Sequence, residues 1–133
     1  MSVTTRDASI LIVDDEPLLA DTLATIFQRA GYTAAAVYSG EEALASIAAR
    51  QPSLVITDVI MPGIDGIALA KTIQTSNPNC RVLLFSGNAE TQDLLDAAQQ
   101  EGQKFEVLAK PIPPPQILAK VASILDHECP SQT

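Results

Sequence analysis

Two kinds of apolar pattern alternate along the chain. One is the short, nearly unbroken run, seen at Ile10–Val13, Leu54–Thr57, Arg81–Phe85 and Phe105–Leu108. Runs of this length, rich in β-branched residues, fit strands buried on both faces, as in a parallel sheet. Tyr32–Tyr38 joins them as an alanine-rich strand. The other pattern is helical. Leu19, Leu23, Ile26 and Phe27 recur at helical spacing through Leu18–Ala30, with Pro17 suited to the first turn and Gly31 to the C′ position. Ser39 can cap a helix over Gly40–Arg50, and Glu42 stands in capping-box position. Further helices are predicted over Asp65–Asn77, stopped by Asn77-Pro78, and over Glu90–Glu101, with Gly102 after it. The last helix, Gln116–His127, is opened by Pro113-Pro114-Pro115.

Five strands alternating with five helices give a parallel α/β sheet covered on both faces by right-handed crossovers. The connections are short and there is no linker, repeat or low-complexity tract, so one domain over 1–133 is expected. Its core runs from about residue 9 to 127, with short polar tails. Composition adds little to that picture but excludes several functions. With 47% hydrophobic residues, only 4% aromatics and no Trp, the core is one of Val, Ile, Leu and Ala. A formal net charge of −8 argues against a nucleic-acid surface and against an anionic membrane as partner. Cys80 and Cys129 show no metal-ligand spacing, no leader-like segment is evident, and no run is long enough to span a bilayer. A cytoplasmic protein is expected.

The stretch Leu54–Gly66, L-V-I-T-D-V-I-M-P-G-I-D-G, organises the rest. Its apolar run stops at Asp58, and Met61-Pro62-Gly63 and Asp65-Gly66 then turn the chain off the sheet. Open α/β sheets place ligands at such strand ends. The other strand ends carry Asp14 and Asp15, Ser86, and Lys110. Three carboxylates brought together repel, and a divalent cation removes the repulsion. All-oxygen ligation beside a phosphate suits Mg²⁺. Lys110 and Ser86 are suited to grip phosphoryl oxygens on Asp58, which can act as a nucleophile toward phosphorus and give an acyl phosphate.

Taken together, Asp14-Asp15, D-V-I-M-P-G-I-D-G around Asp58, Ser86 and Lys110-Pro111 resemble the receiver domain of a two-component response regulator, over about Ser9 to His127. The resemblance implies a doubly wound, flavodoxin-like sheet of strand order 2-1-3-4-5. It implies Asp58 as phosphoacceptor and Mg²⁺ ligation by Asp15, Asp58 and the Ile60 carbonyl, with Asp14 acting through a coordinated water. Ser86 becomes the switch hydroxyl and Lys110 the phosphoryl contact. A histidine kinase or phosphotransfer protein is the implied donor, and the downstream protein partner is unknown. The Lys110–Pro111 bond is expected to be cis.

Two departures stand out. Ser86 replaces a commoner Thr, and Val107 replaces a commoner aromatic three residues before Lys110. A muted response of strand five to phosphorylation is the expectation. The reading is therefore a stand-alone phosphorylation switch that catalyses only its own phosphorylation and dephosphorylation. The alternative is an interaction module that keeps the fold without the chemistry. An aspartyl phosphatase of the haloacid dehalogenase type is disfavoured, because Asp14-Asp15-Glu16-Pro17-Leu18 does not match the D-x-D-x-[TV] pattern that such enzymes carry after the first strand.

Overall fold

The computed structural model describes residues 9–59, 61–77, 80–86, 106–109 and 113–128. In chain order these form β1 (Ser9–Val13), α1 (Pro17–Arg29), β2 (Thr33–Val37), α2 (Gly40–Ala49), β3 (Leu54–Asp58), α3 (Gly66–Ser76), β4 (Arg81–Ser86), β5 (Glu106–Ala109) and α4 (Pro114–Glu128). The strands make one parallel sheet of order β2-β1-β3-β4-β5. The expected helix over Glu90–Glu101 lies outside the described residues.

The continuous apolar runs arise because side chains of each central strand alternate between two buried faces. On one face Ile10, Ile12, Leu54, Ile56, Leu83 and Phe85 pack under α1 and α4, with Phe27, Ile117, Val121 and Ile124. On the other, Leu11, Val13, Val55, Val82 and Leu84 meet Ala43 and Ile47 of α2 and Ile67, Leu69 and Ile73 of α3. Cys80 is buried in this second layer. Among the described residues no helix is long and apolar enough to cross a membrane.

The helix ends follow their local chemistry. Pro17 occupies the first turn of α1, and Gly31 takes φ 105° just past its end. Ser39 Oγ accepts from the Glu42 N–H at 3.0 Å. The capping box departs from its simplest form, because Glu42 Oε1 reaches one residue further and accepts from the Tyr38 N–H at 2.9 Å. The buried stripe of α1 also differs from the predicted one. Ala20, Ala24 and Phe27 are buried, while Leu19, Leu23 and Ile26 are only partly covered. Small alanines at i and i+4 let the helix backbone lie close to the sheet, which displaces the bulkier residues to the margins.

Candidate functional site

The site is built at the carboxyl ends of β1 and β3. Val13 pairs with Thr57, so the next residues in register are Asp14 and Asp58. Asp14 is 2% exposed, and its backbone N–H donates to the Val37 carbonyl of β2 at 3.2 Å. Its Oδ1 accepts from the Glu16 N–H at 2.9 Å, which ties the carboxylate to the start of α1. Asp15 is exposed, and Asp58 is half-buried. One carboxylate oxygen from each of Asp14, Asp15 and Asp58 lies within 4.8 Å of the others. Three hard anionic oxygens on one rim, one of them buried, form a donor set that fits a cation such as Mg²⁺.

Asp58 is held by its backbone. The ladder continues one residue past it, with the Val59 N–H donating to the Phe85 carbonyl at 3.2 Å. The buried Thr57 hydroxyl donates to the Asp58 carbonyl at 3.0 Å. Behind the strand end, α3 starts at Gly66, whose N–H donates to the Val59 carbonyl at 2.8 Å, and Asp65 caps that helix by accepting from the Ala68 N–H at 2.8 Å.

Gly63 and Gly66 both stand as turn glycines in the sequence, and the structure separates them. Gly63 has φ 74°, a left-handed conformation that favours glycine. Gly66 has no such φ. A Cβ there would run into the Asp58 carbonyl oxygen and come within 2.9 Å of the Asp58 carbonyl carbon and the Val59 Cα. Its role is close approach, and the atoms approached belong to the candidate acceptor residue.

The remaining predicted site residues are placed in part. Ser86 is the last residue of β4, one beyond the Asp58–Phe85 pair, and it pairs with Ala109. Lys110 follows Ala109 in the chain but, like Ile60 and Pro111, lies outside the described residues. Val107 pairs with Leu84, on the α2–α3 face of the sheet, and is 37% exposed. Two features had no sequence signal. Leu18, second residue of α1, is 82% exposed beside Asp15 and helps line an open groove of about 580 Å³ with Glu16, Pro17, Leu19 and Thr22. The Tyr38 hydroxyl donates to Asp21 Oδ1 at 2.6 Å, tying the loop after β2 to α1. That bond, then burial, then the charges of Asp21 and Glu42, hold the Tyr38 phenol above its ordinary 10.0.

Strand order and rim together define a flavodoxin-like domain with an acidic centre at the β1 and β3 ends. Residues 10–122 match the response regulator receiver domain, and the chain belongs to that family. It is 30% identical over 118 residues to the DNA-binding transcriptional regulator NtrC of Salmonella typhimurium, covering 89% of this chain and 25% of that protein. It is 26% identical over 116 residues to the DNA-binding response regulator MtrA of Mycolicibacterium smegmatis, covering 87% of this chain and 50% of that one. The chain thus spans half or less of these relatives. Among solved structures, a putative response regulator from Chloroflexus aurantiacus superposes with a TM-score of 0.78 at 32% identity, covering 90% of this chain and 98% of that one. NtrX from Brucella abortus superposes at 0.83 with 27% identity, covering 94% and 28%.

Proposed function

We propose that Asp58 is the phosphoacceptor of a two-component signalling switch. The observation that carries the reading is the gathering of Asp14, Asp15 and Asp58 oxygens within 4.8 Å on the rim where receiver-type sheets bind ligands. An Asp58 carboxylate oxygen attacks the phosphorus of a phosphohistidine donor. A new O–P bond forms as the N–P bond breaks, and the imidazole leaves with the bonding pair.

Asp15, Asp58 and the Ile60 carbonyl would hold Mg²⁺, with Asp14 contributing through water. When bound, the cation supplies positive charge where negative charge accumulates on the transferring group. The backbone bonds of Asp14 and Asp58 fix the strand ends that carry both carboxylates before the donor arrives, which contributes to the preorganisation such transfer needs. Ser86 and Lys110 complete the reading as hydroxyl and cationic contacts to the phosphoryl oxygens. The domain catalyses only its own phosphorylation and dephosphorylation.

A protein donor, a histidine kinase or phosphotransfer protein, fits the acidic surface better than nucleic acid does. The proposal is confined to the receiver. The DNA-binding activity in the names of NtrC and MtrA is not carried over to a chain that spans a quarter to a half of them.

The test is incubation with acetyl phosphate and Mg²⁺ followed by intact mass measurement. The parent should gain one phosphoryl group, and the gain should vanish in Asp58→Asn and in EDTA. An undiminished gain in Asp58→Asn would remove the central claim.

A further inference from the structure

Strand order leaves β2 at an edge of the sheet, and an edge presents backbone N–H and C=O groups that recruit other strands. Proteins blunt such edges with Lys, Pro or a bulge. β2 reads Thr-Ala-Ala-Ala-Val and pairs residue for residue with β1 from Thr33 to Val37, so it has none of these. Its side chains are small, and Thr33 and Ala35 are exposed.

Alternation decides which groups face outward. Val37 turns its carbonyl toward β1, where it accepts from the Asp14 N–H. Thr33 and Ala35 share that direction, so Ala34, Ala36 and the following Tyr38 turn their groups away from the sheet. Two of these outward groups are occupied by side chains. Gln28 Nε2, from the last turn of α1, donates to the Ala34 carbonyl at 2.8 Å. Glu42 Oε1, from the first turn of α2, accepts from the Tyr38 N–H at 2.9 Å. α1 and α2 cover opposite faces of the sheet, so the two clasps reach the edge from opposite sides and at its two ends. Among the described residues, Ala36 lies between them.

The two clasped groups are complementary. If a second copy placed its β2 against this one about a two-fold axis, the strands would run antiparallel. Centred on Ala36, that arrangement sets Ala34 of each copy opposite Tyr38 of the other. The Ala34 carbonyl would then accept from the Tyr38 N–H across the pair. These are the acceptor held by Gln28 and the donor held by Glu42.

We propose that Gln28 and Glu42 are edge clasps that hold β2 closed against the β2 of a second copy. Their release opens a two-fold interface continuing the sheet from one copy into the next. The edge is thereby a latent dimerisation surface, separate from the acidic rim.

The experiment is sedimentation velocity over a range of protein concentrations on the parent and on Gln28→Met with Glu42→Ala. Each clasp occurs twice in a symmetric pair, so the double variant should dimerise with a dissociation constant lower than the parent's by roughly tenfold or more. Adding Ala35→Lys, a charge on the exposed face of the edge, should return it to the monomer. A folded double variant that associates no more than the parent would overturn the proposal, as would dimerisation indifferent to Ala35→Lys. Should the double variant fail to fold, Gln28→Met alone decides. It keeps the length of the side chain and removes the donor, and an unchanged equilibrium counts against the clasp.

Discussion

Replacing Gly66 with Ala tests how tightly the start of α3 is coupled to the candidate acceptor. On helix propensity alone the change is favourable, since Ala gains about 0.5–1 kcal/mol over Gly within a helix. The surroundings oppose it. The new Cβ would meet the Asp58 carbonyl group and the Val59 Cα, all of them backbone atoms. A flexible side chain could swing aside, but these atoms are fixed by the Val59–Phe85 bond and by the Gly66–Val59 bond. Overpacking typically costs about 1–3 kcal/mol, and immobile neighbours place this site at the upper end. The net loss should be about 2 kcal/mol, a fall in Tm of about 6–10 °C for a domain between the size classes for which such slopes are known.

Function should suffer separately, because the relief available is a shift of the end of β3 that carries Asp58. Gly31→Ala serves as the control. Gly31 sits past the end of α1 with φ 105°, so it also costs stability, but it lies away from the acidic rim. Urea unfolding and the rate of mass gain from acetyl phosphate, measured on both variants, separate the two effects. Gly31→Ala should lose stability and keep the rate, while Gly66→Ala should lose both. Full stability in Gly66→Ala, or lost stability with the parent's rate, would refute the coupling.

Two further outcomes are expected. Tyr38 should ionise above 10.0, read at the tyrosinate absorbance in a Tyr32→Phe background. Asp21→Ala should lower that midpoint, and an unchanged titration in this variant would exclude the Asp21 bond as its cause. The fold favours the neutral phenol. This contribution is therefore fully present below the unfolded tyrosine value and is lost as pH rises through the higher folded one. Leu18→Asp should slow transfer from a histidine-phosphorylated donor protein by roughly tenfold or more, the worth of one buried leucine, and leave acetyl phosphate labelling intact. Equal slowing of both reactions would show that Leu18 serves the fold rather than the donor.

What the sequence made legible was whatever rests on alternation and strand ends. Ile10–Val13 and Leu54–Thr57 are continuous because both faces are covered, and a covered strand can end in acids only at its rim. Asp14, Asp15 and Asp58 were readable as a cluster on that ground, and the structure brings them together. The failures share a different cause. Gly66 was read as a turn residue because its constraint comes from atoms of Asp58 and Val59, partners that no pattern within α3 reveals. Hydropathy ranks leucine above alanine and so places the α1 stripe at Leu19, Leu23, Ile26 and Phe27, of which Phe27 alone is fully buried. Contact distance decides otherwise, and Ala20 and Ala24 lie innermost. The Gln28–Ala34 and Tyr38–Asp21 bonds join residues six and seventeen apart in sequence, where no periodicity applies.

The acidic rim also bears on stability. Asp14 is nearly inaccessible and shares the rim with two further carboxylates, whose mutual repulsion at this range costs free energy. A cation that binds the folded rim and not the unfolded chain returns that cost through linkage. Mg²⁺ at about a hundred times its dissociation constant should add about 2.7 kcal/mol. For a urea dependence of about 1–3 kcal/mol per molar, the unfolding midpoint should rise by about 1–3 M. Asp58→Asn removes one of the three repelling charges, so in EDTA it should be more stable than the parent. It should also gain less from Mg²⁺. The two changes have opposite signs, and general salt screening cannot supply them when ionic strength is matched with and without Mg²⁺, because screening is then the same in both solutions. A parent whose midpoint ignores Mg²⁺, or an Asp58→Asn variant that gains as much as the parent, would show that the three carboxylates do not act as one cation site.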